Sequence, residues 1–232
     1  MSRPWCGRGG WGAGTADHRL WGGGGVRDRG RRVTAVWLRL VGVGAMNSPR
    51  YSPAGLVVGW RGHRVLLDGG GDAAAGERLD GWLVCDERAE LMPRIRRTAR
   101  ALGLTPEVAA YEGAGVEIVP LPVGHTSHPT YGYLIRTATA RAVWAPEFWD
   151  FPDWAAGADL MFADAAGWDR PIRFAGGVGG HASALQVARE ARDRRVGRLV
   201  FAHIGRPSIR AVDRGELPPF GEWGVEGRAY RL

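Results

Sequence analysis

The sequence predicts an α/β domain. Three observations carry that prediction. Short apolar runs bounded by glycine and proline recur through the first half, two stretches repeat apolar residues at helical spacing, and strand-like and helix-like runs mix in the second half. At 232 residues the chain fits one large domain or two small ones, and a 45% hydrophobic content can fill a sizeable core. No internal repeat and no linker divides it, so we read one domain over residues 33–232.

Residues 1–32 read differently. They are rich in Gly and Arg and have no apolar period, which predicts a disordered extension. Two readings stand for it. It is a nucleic-acid-binding tail, with Trp5, Trp11 and Trp21 available to stack on bases, or a non-native extension from a wrongly assigned start codon.

Order is expected from Val33. VTAVWLRLVGVG is a β-rich run that ends in glycines. GLVVGW and HRVLLDGGG flank Arg61-Gly62, two apolar runs around a short turn, which predicts a hairpin. LDGWLVCD is a short buried strand. ELMPRIRRTARALGL places Leu91, Ile95, Ala99 and Leu102 on one helical face, with Pro93 in the first turn, where proline is tolerated. GVEIVPLPVGH is a strand, and YGYLIRTATARAVWAPEF a hairpin turning at 137–141. DFPDWAAGADLMFADAA reads as a short helix and a strand. HASALQVAREARDRRV is an amphipathic helix, GRLVFAHIG a buried strand, PSIRAVDRGEL a short helix, and the tail a last strand.

Composition narrows the function classes. All 31 basic residues are arginine, beside one Asn (Asn47) and one Gln (Gln186). That bias points to a GC-rich genome and weakens any single arginine as a phosphate clamp. Of the net charge of +7, residues 1–32 supply +5, from seven Arg against two Asp. The basic balance therefore says little about what the domain binds. The two cysteines, Cys6 and Cys85, give no disulfide framework and fit a reducing, cytoplasmic setting. No run of 18 apolar residues predicts a membrane span, and no signal-peptide core opens the chain.

The residues with chemical potential are three histidines at predicted element ends. His125 follows a strand, His203 ends another, and His181 opens a helix after GGVGG. Neutral imidazoles on a sheet edge suit a metal site, although any one of them alone reads as a structural residue. His128 lies in the same half of the chain. Asp164 and Asp169, in ADAAGWD, read as a carboxylate pair or as loop and turn residues. Cys85 stands where a thiol nucleophile would, but buried thiols are mostly inert.

The segment GHASALQVAREARDRRVGRLVFAHIG resembles the Gly-His-Ser-Thr helix and His-ending strand of the ribonuclease Z and phosphodiesterase branch of the metallo-β-lactamase superfamily. PLPVGHTSHPTYGYLI and HRVLLDGGG are similar to that branch's preceding strands. The resemblance covers about residues 36–210. It implies a four-layer αββα sandwich of metallo-β-lactamase type. It also implies His125 and His203 as metal ligands, His181 as proton donor to the leaving oxygen, and Glu147 in place of a metal-bridging Asp. Asp68 then ends the early strand as a ligand-binding candidate.

One stretch departs from the family. Its His-x-His-x-Asp-His signature falls on WLVCDERAEL, where Asp86, Arg88, Glu90 and Leu91 replace all four side chains. The resemblance then implies one divalent metal, Mn, Fe, Mg or Zn, held among Asp86, Glu90, His125, Glu147 and His203, and counts against the usual two-zinc site. Alternatively Arg88 replaces a metal charge and holds an anion. A third reading is structural: Asp86 caps a helix whose first turn holds Glu87 and Glu90. Three functions stay open. They are a metal-dependent, phosphodiesterase-like hydrolase with a remodelled site acting on a small-molecule or phosphodiester substrate, an inactive member that binds an anionic ligand or a protein partner, and a nucleic-acid binder using the tail. A homodimer is expected from the branch.

Overall fold

The computed structural model describes residues 35–76 and 78–232. The reading of residues 1–32 lies outside them. Strand β1 (Val36–Gly42) alternates buried and half-buried positions. β2 (Gly55–Trp60) and β3 (His63–Asp68) form the expected antiparallel hairpin. Its turn, Arg61-Gly62, takes positive φ at both residues (42° and 87°), the geometry that matches the twist of tight hairpins. β4 (Gly81–Leu83) precedes α1 (Met92–Ala101).

There follow β5 (Pro106–Glu107), β6 (Tyr111–Gly113), β7 (Val116–Val123), β8 (Thr130–Arg136), β9 (Arg141–Ala145) and β10 (Leu160–Ala165). A 3-10 turn, Asp153–Ala155, replaces the short helix expected before β10. The chain closes with β11 (Ile172–Arg173), β12 (Gly180–His181), α2 (Ala184–Asp193), β13 (Leu199–Ile204), α3 (Arg206–Asp213), β14 (Glu222–Trp223) and β15 (Ala229–Arg231). The tail thus makes two short strands rather than one.

Among the described residues the strands form two large sheets. One runs β15-β1-β2-β3-β4-β5, the other β14-β13-β10-β9-β8-β7-β6, and β11-β12 is a separate pair. The two tail strands join different sheets. Strand periodicity shows how the layers stack, because alternate residues face opposite sides. Leu56, Val58 and Trp60 of β2 enter the core between the sheets. Val57 points the other way and joins Leu66, Trp82, Met92, Ile95 and Ala99 in a second cluster under α1. On the far side α2 packs on β10 and β13 and buries Val187, Ala188 and Ala191. Strands β2, β10 and β13 are buried at every position, as strands covered on both faces must be. This is the αββα sandwich.

The start of α1 corrects the structural reading of Asp86. The helix begins at Met92, its N-cap is Leu91 without a side-chain cap, and its first turn holds no acidic residue. Pro93 sits at its start, where its fixed φ suits a helix and its missing N–H costs nothing. The five residues before Met92 turn without entering the helix. Asp86 therefore caps a turn: its Oδ1 accepts the Arg88 N–H at 2.7 Å.

Candidate metal centre

Strands β9, β10 and β13 are parallel neighbours, so their C-terminal ends meet at one edge of their sheet. Glu147 lies two residues beyond β9, and Asp164 lies within β10. His203 owes its direction to a register break. Asp164 pairs with Ala202 and Ala165 with Ile204, which leaves His203 as the extra residue of a bulge at φ +57°. A left-handed histidine is strained backbone, and a bulge re-aims its side chain. His125 follows β7, and His181 ends β12. The loop before β12 is drawn against His125 by two hydrogen bonds of 2.9 Å. The Gly180 N–H donates to the His125 carbonyl, and His125 Nδ1 donates to the Gly180 carbonyl. Glycine is required there, since an added Cβ would lie 2.0 Å from the His125 carbonyl oxygen at Gly179 and 1.9 Å from that of Ile172 at Gly180.

The side chains converge. Glu147 Oε2 lies 3.2 Å from His125 Nε2, and its Oε1 lies 3.0 Å from His203 Nε2. Asp164 is fully buried and faces the other ring nitrogens: Oδ2 is 2.7 Å from His181 Nδ1, and Oδ1 is 3.4 Å from His203 Nδ1. Asp164 also accepts the N–H groups of Ala166 at 2.8 Å and Phe148 at 3.2 Å. Its lone pairs are thus largely taken up by donors. The His181 ring neighbours both others, with centroids 4.6 Å from His125 and 5.0 Å from His203.

The charges follow from this geometry. Burial opposes ionisation of Asp164, but His181 and His203 outweigh it and hold the carboxyl at about 2. Burial likewise opposes the His203 imidazolium, yet Glu147 and Asp164 lift it to about 10. Burial works against the Glu147 carboxylate too, and His203 and His125 still hold it well below the usual range. His125 is raised: burial lowers it, and Glu147 more than compensates. Because Asp164 is ionised, His181 Nδ1 must carry the proton it donates there, which leaves Nε2 as the atom free to exchange one. His203 faces a carboxylate on each nitrogen, so without metal it is an imidazolium.

Two groupings here could hold a metal ion. Asp164, His181 and His203 have ligand atoms all within 4.8 Å of one another, but Asp164 is already bonded to both rings and to two N–H groups. On the Glu147 side, two imidazole Nε2 atoms and a carboxylate converge, while each of the three rings has its Nδ1 tied to a carbonyl or carboxylate. Metal-binding histidines are held by that kind of outer hydrogen bond.

No family model matches the sequence, and no curated protein matches it. Solved structures do match. A metallo-β-lactamase fold protein, YhfI from Bacillus subtilis, superposes with a TM-score of 0.67 at 12% identity, covering 86% of this chain and 100% of that one. A diphosphatase of the PhnP family matches with a TM-score of 0.63 at 18% identity, covering 85% and 97%. The chain has the metallo-β-lactamase fold. Zn2+-bound PqqB from Methylobacterium extorquens shares it as well, with a TM-score of 0.64 at 13% identity over 84% and 100% of the two chains.

Within the metallo-β-lactamase fold, the turn after β4 is where the resemblance lays the family signature. Here it carries no imidazole. Asp86 instead holds His128, Oδ2 to Nε2 at 2.8 Å, and both are largely buried. Arg88 and Glu90 are not brought to the histidines. Both are exposed, and neither lines the cleft beside Glu147. The geometry therefore gives no support to Glu90 as a ligand or to Arg88 as an anion clamp. Asp68, at φ +52°, accepts the Cys85 N–H at 2.7 Å and Trp144 Nε1–H at 2.7 Å, which ties the two sheets together below the cleft. Burial pushes its carboxyl up to about 6 despite those donors. Burial, with Asp68 next, pushes the Cys85 thiol well up, so it stays a thiol.

Two residues gain their roles only in the fold. From sequence, Asp164 reads as a loop or pair residue, yet it is a lone carboxylate in the fully buried run LMFADA, which is itself a signal of a buried partner. His128 stands three residues from His125, and nothing in the sequence pairs it with Asp86.

Proposed function

We propose that this chain is a metal-dependent hydrolase that uses one divalent ion, held by His125, Glu147 and His203, to cleave a phosphodiester-like ester. The observation that carries the reading is the convergence of two Nε2 atoms on Glu147 with every Nδ1 locked behind them. Three protein ligands with an open position are the pattern of catalytic rather than structural zinc sites. An ion held there supplies Lewis-acid polarisation of the ester and favours a hydroxide nucleophile.

The chain's own residues supply the rest. Asp164 orients His181 through Nδ1, so that Nε2 gives a proton to the leaving oxygen as the ester bond breaks. The attacking water replaces that proton, and the step is ester plus water to acid plus alcohol. The fold likeness to a PhnP-family diphosphatase and to Zn2+-bound PqqB motivates a phosphorus ester and zinc as the first substrate and metal to try.

The test loads metal-stripped protein with one equivalent of Zn2+ or Mn2+ and assays bis(p-nitrophenyl) phosphate. Turnover is expected to appear with metal and to fall roughly 100-fold or more in His181→Ala, with the metal retained. Metal binding without turnover of any ester would contradict the hydrolase. Failure to bind metal would contradict the site.

A further inference from the structure

A cleft opens beside Glu147 and His203; its space, open mouth included, is about 490 Å³, and apart from Asp68 and Asp86 its other walls are mainly apolar. Ala89 and Leu91 come from the turn before α1, Met92 and Ile95 from α1 itself, and Met46 and Pro53 from the β1–β2 connection. Among the described residues, no arginine lines it.

Its three carboxylates are already engaged. Glu147 faces His125 and His203, Asp86 holds His128 and the Arg88 N–H, and Asp68 accepts from Cys85 and Trp144. Away from the metal centre, a charged group entering this space would lose its water and meet only charges that are already paired. An apolar group would gain by leaving water. Leu91 and Ala89 belong to the stretch where the resemblance lays the metal-binding signature, so the loss of that signature and the apolar wall are one change.

We propose that this cleft is a specificity pocket for an uncharged apolar arm, aryl or branched alkyl, of the ester cut at the metal centre. The enzyme's substrates are then hydrophobic esters rather than nucleotides or sugar phosphates. The ester specificity rests on the hydrolase reading; the pocket's preference for apolar groups does not.

Two measurements on the full chain separate them. The first is a fluorescence titration with uncharged N-phenyl-1-naphthylamine. Saturable 1:1 binding is expected, weakened about tenfold or more by Ala89→Trp, which fills the cleft, and by Leu91→Asn, which makes its wall polar. Asparagine is favoured at helix N-caps, so the second variant keeps α1. Arg97→Ala, on the exposed face of α1, should change nothing. The second measurement compares kcat/KM for bis(p-nitrophenyl) phosphate and thymidine 5′-(p-nitrophenyl phosphate), which share a leaving group but differ in the other arm. A preference of about tenfold or more for the aryl arm is expected, and it should shrink in Leu91→Asn. No saturable probe binding, binding that survives both variants, or a preference for the nucleoside arm would overturn the pocket. Probe binding that is lost in both variants, with neither ester turned over, supports the pocket and overturns the hydrolase instead.

Discussion

His203 sits between two carboxylates, and its titration should govern how the metal-free protein responds to pH. Its folded value of about 10 lies above its ordinary 6.5. A raised imidazole contributes stability that is fully present below 6.5 and is lost as pH rises towards 10. Asp164 runs the other way. Held at about 2 against an ordinary 3.8, it contributes above 3.8, and that contribution is lost as pH falls to 2. Asp68, raised to about 6, adds a loss that begins above 3.8. Metal-free protein should therefore be most stable near pH 4, and denaturant unfolding at pH 5, 7 and 9 should show a steady loss. A flat profile over that range would contradict the pairing. Binding a metal must displace the Nε2 proton of His203, so the gain in Tm on adding Zn2+ should be larger at pH 9 than at pH 6. Asp164→Asn keeps the shape but loses the charge that holds both rings. It should weaken Zn2+ affinity by about 10- to 100-fold in a competition titration with a chelating dye.

Among the elements, those with a period of their own were legible. The β2–β3 hairpin, α2 and β13 follow directly from GLVVGW, HRVLLD, ALQVAREARD and LVFAHI. Strands β5, β11, β12 and β14 have two residues each, too few to carry an alternation, and only pairing with a neighbour defines them. At the start of α1, Asp86 has the right residue type for a cap, which is why the structural reading could be drawn. Its carboxylate is instead taken by His128 and the Arg88 N–H, contacts that only the fold creates. Two element-scale outcomes follow. Gly180→Ala forces a Cβ onto the Ile172 carbonyl and the Trp149 ring, so it should open the clasp on His125 and abolish tight metal binding. Ile95→Ala empties a site that is 3% exposed under the sheet, and urea unfolding should show a loss of about 2–5 kcal/mol.

For the whole molecule, the pattern of strands and helices was enough to read an α/β domain, and the two-sheet sandwich came from the family likeness. The site was legible only in part. His125, Glu147, His181 and His203 could be named from strand ends and a family likeness. The roles of Asp164 and His128, and the exposure of Arg88 and Glu90, depend on how separate segments meet. Among the described residues, no helix is long and apolar enough to cross a membrane. The site is assembled where both sheets end: Asp68 and the turn after β4 come from one, and Glu147, Asp164 and His203 from the other. With apolar Leu91 and Ala89 in the stretch where the signature would stand, the chain is expected to hold one ion. Elemental analysis of metal-reconstituted, desalted protein tests this most directly. One equivalent of Zn2+ or Mn2+ per chain, lost in His203→Ala and kept in His181→Ala, is the predicted result. Two equivalents, none, or a single equivalent that survives His203→Ala would contradict it.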